Sequence, residues 1–152
     1  MTCESNLRTR WMAVDEAALA PAATMSRQLD MPGPGLVLLI TGQVYQTGWK
    51  AELCSLVVKL HGNDLLNKDG APVAGNFLFD DRGPRPLSEP IPLHTKEWIQ
   101  GDLTNDTSST LRARITVEYL PMTERELQKY IDDPAYRLAV KEEMALSWSR
   151  RR

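Results

Sequence analysis

The sequence predicts a mainly β protein: an antiparallel β-sandwich of jelly-roll type, with an N-terminal arm before it and a C-terminal helical segment after it. Residues 110–120 (TLRARITVEYL) alternate between apolar and polar side chains, which is typical of an antiparallel strand with one solvent-facing side. The candidate strands are separated by Gly, Pro, Asn and Asp rather than by helical segments. After Pro121 the apolar spacing lengthens to that of a helix. We therefore divide the chain into an arm (1–34), a β-sandwich domain (35–121) and a helical extension (122–152).

The arm is predicted to lie outside the core. Its alanine-rich sequence favours a helix, but Pro21 interrupts it and residues 31–35 (MPGPG) end it. At most one short helix fits, over residues 15–20. Because a Pro/Gly hinge follows, Trp11 and Met12 are expected to be apolar anchors that contact another subunit.

Five segments of the sandwich domain are predicted strands. Residues 36–45 begin as a continuous apolar run and then alternate, and residues 51–60 place alternate apolar residues on one face. Residues 76–80 and 96–103 are shorter candidates that lie between turn residues. The clearest strand, 110–120, divides into an apolar face of Leu111, Ala113, Ile115, Val117 and Tyr119 and a solvent-facing side of Arg112, Arg114, Thr116 and Glu118.

The helical extension is predicted to contain two helices. Residues 123–126 (TERE) match a capping box, in which the threonine hydroxyl and the glutamate side chain each satisfy a free amide of the first turn. Asp133 followed by Pro134 predicts the start of the second helix. This helix carries an apolar stripe that packs either on the chain's own sheet or in the groove of a partner, formed by Tyr136, Val140, Met144 and Trp148.

Composition and charge disfavour several functional classes. The 152 residues carry a formal net charge of -2, so no general attraction to nucleic acid is expected except through the basic termini. The chain has two cysteines and two histidines, without the spacing of a zinc site. No apolar segment reaches the roughly 18–20 residues that span a membrane, and the N-terminus lacks the apolar region of a secretion signal. We expect a cytoplasmic protein or part of an assembled particle.

Two loops are rich in short oxygen-bearing side chains: residues 61–70 (HGNDLLNKDG) and 101–109 (GDLTNDTSS). The simpler interpretation is that they are turns, since Asn, Asp and Gly are the usual turn residues. An EF-hand calcium loop is not expected, because the first and last positions of its twelve-residue pattern are not occupied by the required ligand residues. If the loops meet at one end of the sandwich, however, they could bind calcium and a sugar, with Trp49 or Trp98 as a stacking face. The candidate ligands are Asp64, Asn67, Asp69, Asp102, Asn105 and Asp106.

The sequence favours a non-enzymatic structural or interaction protein. It would self-assemble as a homo-oligomer or dock into a larger complex through its arm and its C-terminal helix, without a required cofactor. A virion or shell component suits this plan, by analogy of fold. The alternative is a small carbohydrate- or ligand-binding β-sandwich that uses the two loops and calcium. No catalytic residues are predicted; His61 with Asp64 or Asp102 is the only pair to consider.

Overall fold

The computed structural model describes residues 8–50, 52–60, 63–64, 73–74, 79–80, 83–84 and 90–150. Within these ranges the chain is mainly β, with two helices at its C-terminal end. The strands and helices, in chain order, are β1 (Arg10–Leu19), β2 (Thr24–Asp30), β3 (Gly35–Tyr45), β4 (Trp49–Lys50), β5 (Cys54–Leu60), β6 (Asn63–Asp64), β7 (Val73–Ala74), β8 (Phe79–Asp80), β9 (Gly83–Pro84), β10 (Ile91–Leu93), β11 (Trp98–Asn105), β12 (Leu111–Pro121), α1 (Glu124–Asp132) and α2 (Pro134–Arg150).

The strands form two antiparallel five-stranded sheets and one small hairpin. Sheet 1 has the order β1-β12-β3-β10, with β4 also paired to β3. Sheet 2 has the order β2-β11-β5-β6, with β7 also paired to β5. The hairpin consists of β8 and β9.

The strand pairs are nested along the chain. The first strand, β1, pairs with the last, β12; β2 pairs with β11; β3 pairs with β10; and β5 pairs with β6. Successive members of this series alternate between the two sheets. The two sheets share one apolar core, which includes Ile40, Val44 and Ile115 of sheet 1 and Leu56 and Leu103 of sheet 2.

The alternation expected for residues 110–120 is confirmed as far as Val117. In β12, Ala113, Ile115 and Val117 are fully buried in the shared core, whereas Arg112 lies exposed on the other side. Strand β11 alternates in the same way, with every second residue buried from Ile99 onward. The predicted strands 36–45, 51–60 and 96–103 also coincide with β3, β5 and β11 to within a few residues. Of the predicted strand 76–80, only the last two residues lie within the described part, in β8.

A β-bulge interrupts the alternation of β3, a strand that is buried almost throughout. Pairing with β12 shifts in register where Glu118 faces Leu39 and Tyr119 faces Val37, so that Leu38 is the extra residue. Before the bulge Val37 points into the shared core, and after it Ile40 does. The residues between them therefore change the phase of the alternation, and the sequence shows a continuous apolar run instead of a strict period of two.

The helices pack on the outer face of sheet 1, which we define as the face turned away from the shared core. Leu36, Leu38 and Leu120 form a second apolar cluster there with Leu127 of α1 and Met144 of α2. The helices cover one part of this face only, because strands β1, β3 and β12 continue beyond the cluster. None of the helices in the described ranges is both long and apolar enough to cross a membrane.

Both predicted helix starts are confirmed. The hydroxyl of Thr123 accepts a hydrogen bond from the Glu126 amide at 3.0 Å, and the Glu126 carboxylate accepts one from the Thr123 amide at 2.9 Å. The Asp133 carboxylate accepts from the amide of Ala135 at 3.0 Å at the start of α2. Arg137 then ties the two helices together, because its guanidinium donates to the carbonyl of Tyr130 at 3.0 Å.

The N-terminal segment differs from the prediction. The short helix expected over residues 15–20 is wrong, because residues up to Leu19 belong to β1. Strands β1 and β2 pair along their lengths with β12 and β11, so the described part of the predicted arm belongs to the two sheets. The reason is that Met12 and Val14 pack against the shared core, and this burial outweighs the helix propensity of alanine, although that propensity is the highest of the amino acids.

Glu118 also differs from the prediction that its side of β12 faces solvent. Its side chain is fully buried and accepts a hydrogen bond from the Thr9 hydroxyl. The outer face of sheet 1 is therefore partly covered by the residues that lead into β1.

Candidate functional site

The predicted calcium ligands of β11 do not converge. Asp102 lies on the outer side of sheet 2, where Lys59 Nζ is 3.3 Å from its carboxylate and the Gln100 amide donates to it at 2.9 Å. Burial by itself would raise the pKa of Asp102, but hydrogen bonds from Gln100, Ser26 and Lys59 outweigh it and lower the pKa. Asn105 is three residues further along the strand and therefore points to the opposite, core side.

Asn105 acts as a structural residue that holds the turn after β11. Its side chain is fully buried, and its amide nitrogen donates to the carbonyls of Leu19 at 2.9 Å and Ser109 at 2.8 Å. Its amide oxygen accepts from the backbone and the hydroxyl of Thr107. The adjacent Asp106 is exposed and accepts a hydrogen bond from the Ser55 hydroxyl. All the hydrogen-bonding capacity of Asn105 is thus used within the fold.

The other predicted ligands lie at the far end of β5 or outside the described residues. The backbone of Asp64 pairs with Lys59, whereas Asn105 pairs with Cys54 at the opposite end of the same strand. These ends are roughly 17 Å apart at 3.3 Å per residue. Asn67 and Asp69, like His61, lie outside the described residues. No cluster of three or more His, Cys, Asp or Glu side chains suited to a metal ion occurs in the part of the chain that the structure describes.

The predicted interface residues mostly pack within the molecule. Met144 is buried in the second apolar cluster, which lies on the outer face of sheet 1 and which we call the outer cluster. Tyr136 and Val140 pack against this cluster. Met12 is half-buried against the shared core. The side chain of Trp148 lies outside the described residues. Of the predicted interface residues whose side chains the structure describes, only Trp11 presents a large apolar surface, with 53% of its area exposed.

Trp11 forms one wall of an open groove of about 390 Å³ on the outer face of sheet 1. We call this feature the Trp11 groove. It runs across three neighbouring strands and is lined by Trp11 and Ala13 of β1, Arg114 and Thr116 of β12, and Leu39, Thr41 and Gln43 of β3. Both indole and guanidinium groups therefore face one surface that the helices leave open.

Arg114 is held in a fixed orientation at this groove. Its Nε donates to Gln43 Oε1 at 3.0 Å, and its guanidinium carbon lies 4.0 Å from the centre of the Trp49 ring. Trp49 is in turn fixed by the edge of Tyr45, with ring centroids 5.4 Å apart, and Arg112 lies 5.5 Å from the same indole. Such cation–π stacking over a supported tryptophan restricts the arginine side chain before any ligand binds.

A buried hydroxyl also lines the groove. Thr41 is only 4% exposed, and its Oγ1 has no hydrogen-bond partner among the residues that the structure describes. Thr116 is its neighbour on β12, at the register position directly opposite. Because buried hydroxyls are nearly always hydrogen-bonded in proteins, this one marks a place for a further polar group.

A second cavity of about 520 Å³ lies between the start of β1 and the helices. It combines an apolar floor with charges of both signs, and its lining includes Arg8, Arg10, Leu120, Glu126, Tyr136 and Glu143. Burial raises the pKa of the Tyr136 hydroxyl, and the negative charges of Glu126 and Glu143 raise it further.

Sequence reasoning missed the Trp11 groove and one face of α2. Arg112 and Arg114 were interpreted only as a solvent-facing side, although two arginines at alternate positions of a strand necessarily lie side by side. On α2, the predicted stripe is the buried face, whereas Leu138 and Leu146 are 57% and 59% exposed. Their spacing of two helical turns was visible in the sequence.

Comparison of the chain with protein-family models, with curated proteins and with solved structures finds no match.

Proposed function

We propose that this protein is a non-enzymatic structural protein that assembles with copies of itself, and that its two sheets form a jelly-roll sandwich. The nested pairing of β1 with β12, β2 with β11, β3 with β10 and β5 with β6 supports the jelly-roll assignment, because a rolled long hairpin produces this order. Jelly rolls occur in viral capsid and lectin domains and in cupins. A shell component is thus one role open to this fold, but the fold alone does not choose among these roles.

The observation that carries the assembly proposal is that α2 is apolar on two sides. One side, with Tyr136, Val140 and Met144, packs on the chain's own outer cluster. The other side presents Leu138 and Leu146 to solvent, each more than half exposed. A helix that is apolar on opposite sides is normally buried on both, so the exposed side is suited to contact a second molecule.

A second copy of the chain fits this exposed side. If two α2 helices pair antiparallel about a two-fold axis, Leu138 of one copy lies opposite Leu146 of the other. The axis then passes near Glu142, the residue midway between them, which is exposed. Two like charges near the axis oppose the contact, and two leucines a side bury far less than the roughly 1,200 Å² of a stable interface. The contact is therefore weak by itself; it joins two copies, and a larger assembly requires a further contact elsewhere on the molecule.

The test is the solution mass by light scattering over a range of protein concentrations. The wild type is expected to gain mass with concentration, and the double variant Leu138→Glu/Leu146→Glu to stay monomeric. Arg125→Glu is the matched control, because Arg125 is exposed on α1 and its replacement changes the formal charge by the same two units. This control should assemble like the wild type. Glu142→Gln should strengthen association, since it removes the like charges at the axis.

Two results would overturn the proposal. A wild type that remains monomeric at every concentration would exclude self-assembly. An oligomer that persists unchanged in the double variant would exclude α2 as the contact. Circular dichroism of each variant ensures that a change of mass is not caused by unfolding.

A further inference from the structure

We propose that the Trp11 groove binds an acidic sugar, with the carboxylate on Arg114 and the apolar face of the sugar ring on Trp11. This site is distinct from the two loops 61–70 and 101–109, which are rich in Asn and Asp and which we call the Asx-rich loops. It does not involve the exposed side of α2. The proposal rests on the three chemical groups that line one open groove: a restrained cation, an exposed indole and a buried hydroxyl that needs a partner.

Arg114 supplies the anion-binding group. Its Nε is already used by Gln43, which leaves the two terminal nitrogens of the guanidinium for a ligand. Within the described ranges no carboxylate forms an ion pair with Arg114, although Asp15 occupies the neighbouring position on β1. A planar guanidinium that is fixed by stacking on Trp49 binds a carboxylate in a bidentate manner with little loss of side-chain freedom.

Trp11 supplies the stacking surface. The residue is 53% exposed although it lies on a strand of the sheet, and the small side chain of Ala13 beside it leaves the groove open. The C–H face of a sugar ring is flat and apolar, so burying it against an indole removes apolar area from water on both sides. The indole N–H remains available for a ring hydroxyl.

The polar floor of the groove suits the hydroxyl groups of a sugar. Thr41 lies at the floor with a hydroxyl that has no partner in the described part of the chain, and Thr116 and the Gln43 amide line the same surface. A ligand that brings both donors and acceptors satisfies such a floor, whereas a purely apolar ligand leaves it unpaired.

Size and charge favour an acidic sugar over a polyanion. A groove of about 390 Å³ is at the lower end of the usual range for small-molecule sites, roughly 300–1,000 Å³. Asp15, which pairs with Arg114 from β1, repels a ligand with several closely spaced charges, and the chain as a whole is slightly acidic, with a formal net charge of -2. A single carboxylate on a polyhydroxylated ring meets both conditions.

The experiment compares two ligands that differ only at one carbon. Methyl β-D-glucuronide carries a carboxylate where methyl β-D-glucoside carries a hydroxymethyl group, so the difference in their affinities reports the contribution of the carboxylate. Binding is measured by NMR titration of the Trp11 indole N–H signal in the wild type. The glucuronide is expected to bind at least 10-fold more tightly than the glucoside.

Two variants locate the site, and two others are controls. Trp11→Ala and Arg114→Gln should each weaken glucuronide binding at least 10-fold, read from backbone amide shifts of β3 and β12. Arg125→Gln removes the same charge from an exposed position on α1 and should bind within 2-fold of the wild type. The monomeric variant Leu138→Glu/Leu146→Glu should also bind normally, so that failure of this proposal and failure of self-assembly give different results.

Equal binding of the two glycosides, or no binding of the glucuronide by folded wild type, would overturn the proposal. Glucuronide binding that survives both Trp11→Ala and Arg114→Gln would also overturn it, since the sugar would then occupy another site.

Discussion

Gly42 and Leu103 lie on different sheets and face each other across the shared core, so their replacement tests how the two sheets pack. A Cβ atom added at Gly42 would lie well inside van der Waals contact with Leu103 Cδ1 and 3.4 Å from Leu56 Cδ1. Gly42→Ala therefore overpacks the core, at a cost of about 1–3 kcal/mol. A loss of conformational freedom in the unfolded chain offsets about 0.4–1 kcal/mol of this cost.

Leu103→Ala has the opposite effect on volume. Leu103 is fully buried, so its truncation should destabilise the protein by about 2–5 kcal/mol. In the double variant the atom that collides with the new methyl group is gone, and the methyl group fills part of the cavity. The double variant should thus be about 1–2 kcal/mol more stable than the sum of the two single changes predicts, within the range of coupling between contacting residues.

The assay is urea unfolding of the wild type, both single variants and the double variant, with similar denaturant slopes required for each. Gly42→Ala combined with Leu29→Ala is the control, because Leu29 pairs with Ile99, four positions along β11 from Leu103. This control pair should be additive to about 0.5 kcal/mol. Additivity of Gly42→Ala and Leu103→Ala to the same degree would refute the packing of these two strands against each other.

Two further predictions concern buried polar groups. Burial raises the pKa of the Cys54 thiol from 9.0 to about 12, and the negative charges of Asp106 and Glu52 contribute to the increase. As the pH rises, the thiol therefore ionises in the unfolded chain before it ionises in the folded protein. The wild type should lose about 1 kcal/mol of stability between pH 9 and 10 for this reason. Cys54→Ala should show a correspondingly shallower loss by urea unfolding at each pH, and parallel curves for the two proteins would contradict a protonated thiol. Asn105→Ala should lower the free energy of unfolding by about 1–3 kcal/mol without added calcium, because the Leu19 carbonyl loses its donor. Ser108→Ala is the control at an exposed position and should change the free energy of unfolding by less than about 0.5 kcal/mol. A melting temperature unchanged by Asn105→Ala would exclude a structural role for this residue.

The sequence predicted correctly those elements that are determined by residues close together in the chain. The alternation in β12 and the capping box at Thr123 each depend on residues a few positions apart, so the sequence displays them. The mainly β class followed from the same patterns. Strand β1 could not be predicted in this way, because its alanines are compatible with helix and its partner β12 is far along the chain. Only the burial of Met12 and Val14 against the shared core decides between the two conformations.

The candidate groove was hidden for a related reason. Its lining comes from β1, β3 and β12, and its arginine is fixed by Trp49 of β4. The sequence places Arg112 and Arg114 on one side of a strand, but only strand order brings Trp11 to the same surface. The two Asx-rich loops attracted attention because their residues are adjacent in sequence, yet the described ligands Asp102 and Asn105 point to opposite faces.

The nested pairing has a consequence for how the chain reaches its fold. Arg10 pairs with Tyr119, so β1 has no native neighbour in sheet 1 until β12 exists. Topologies dominated by such distant pairs fold slowly, in milliseconds to seconds for small all-β domains. Roughly 100 residues lie between these two strands in the chain. At a translation rate of about 5–20 residues per second, β12 is therefore completed roughly 5–20 s after β1. Throughout that interval the apolar residues of β2 and β3 lack the partners that bury them in the folded protein, and such exposed apolar surface is what makes incomplete chains prone to aggregation.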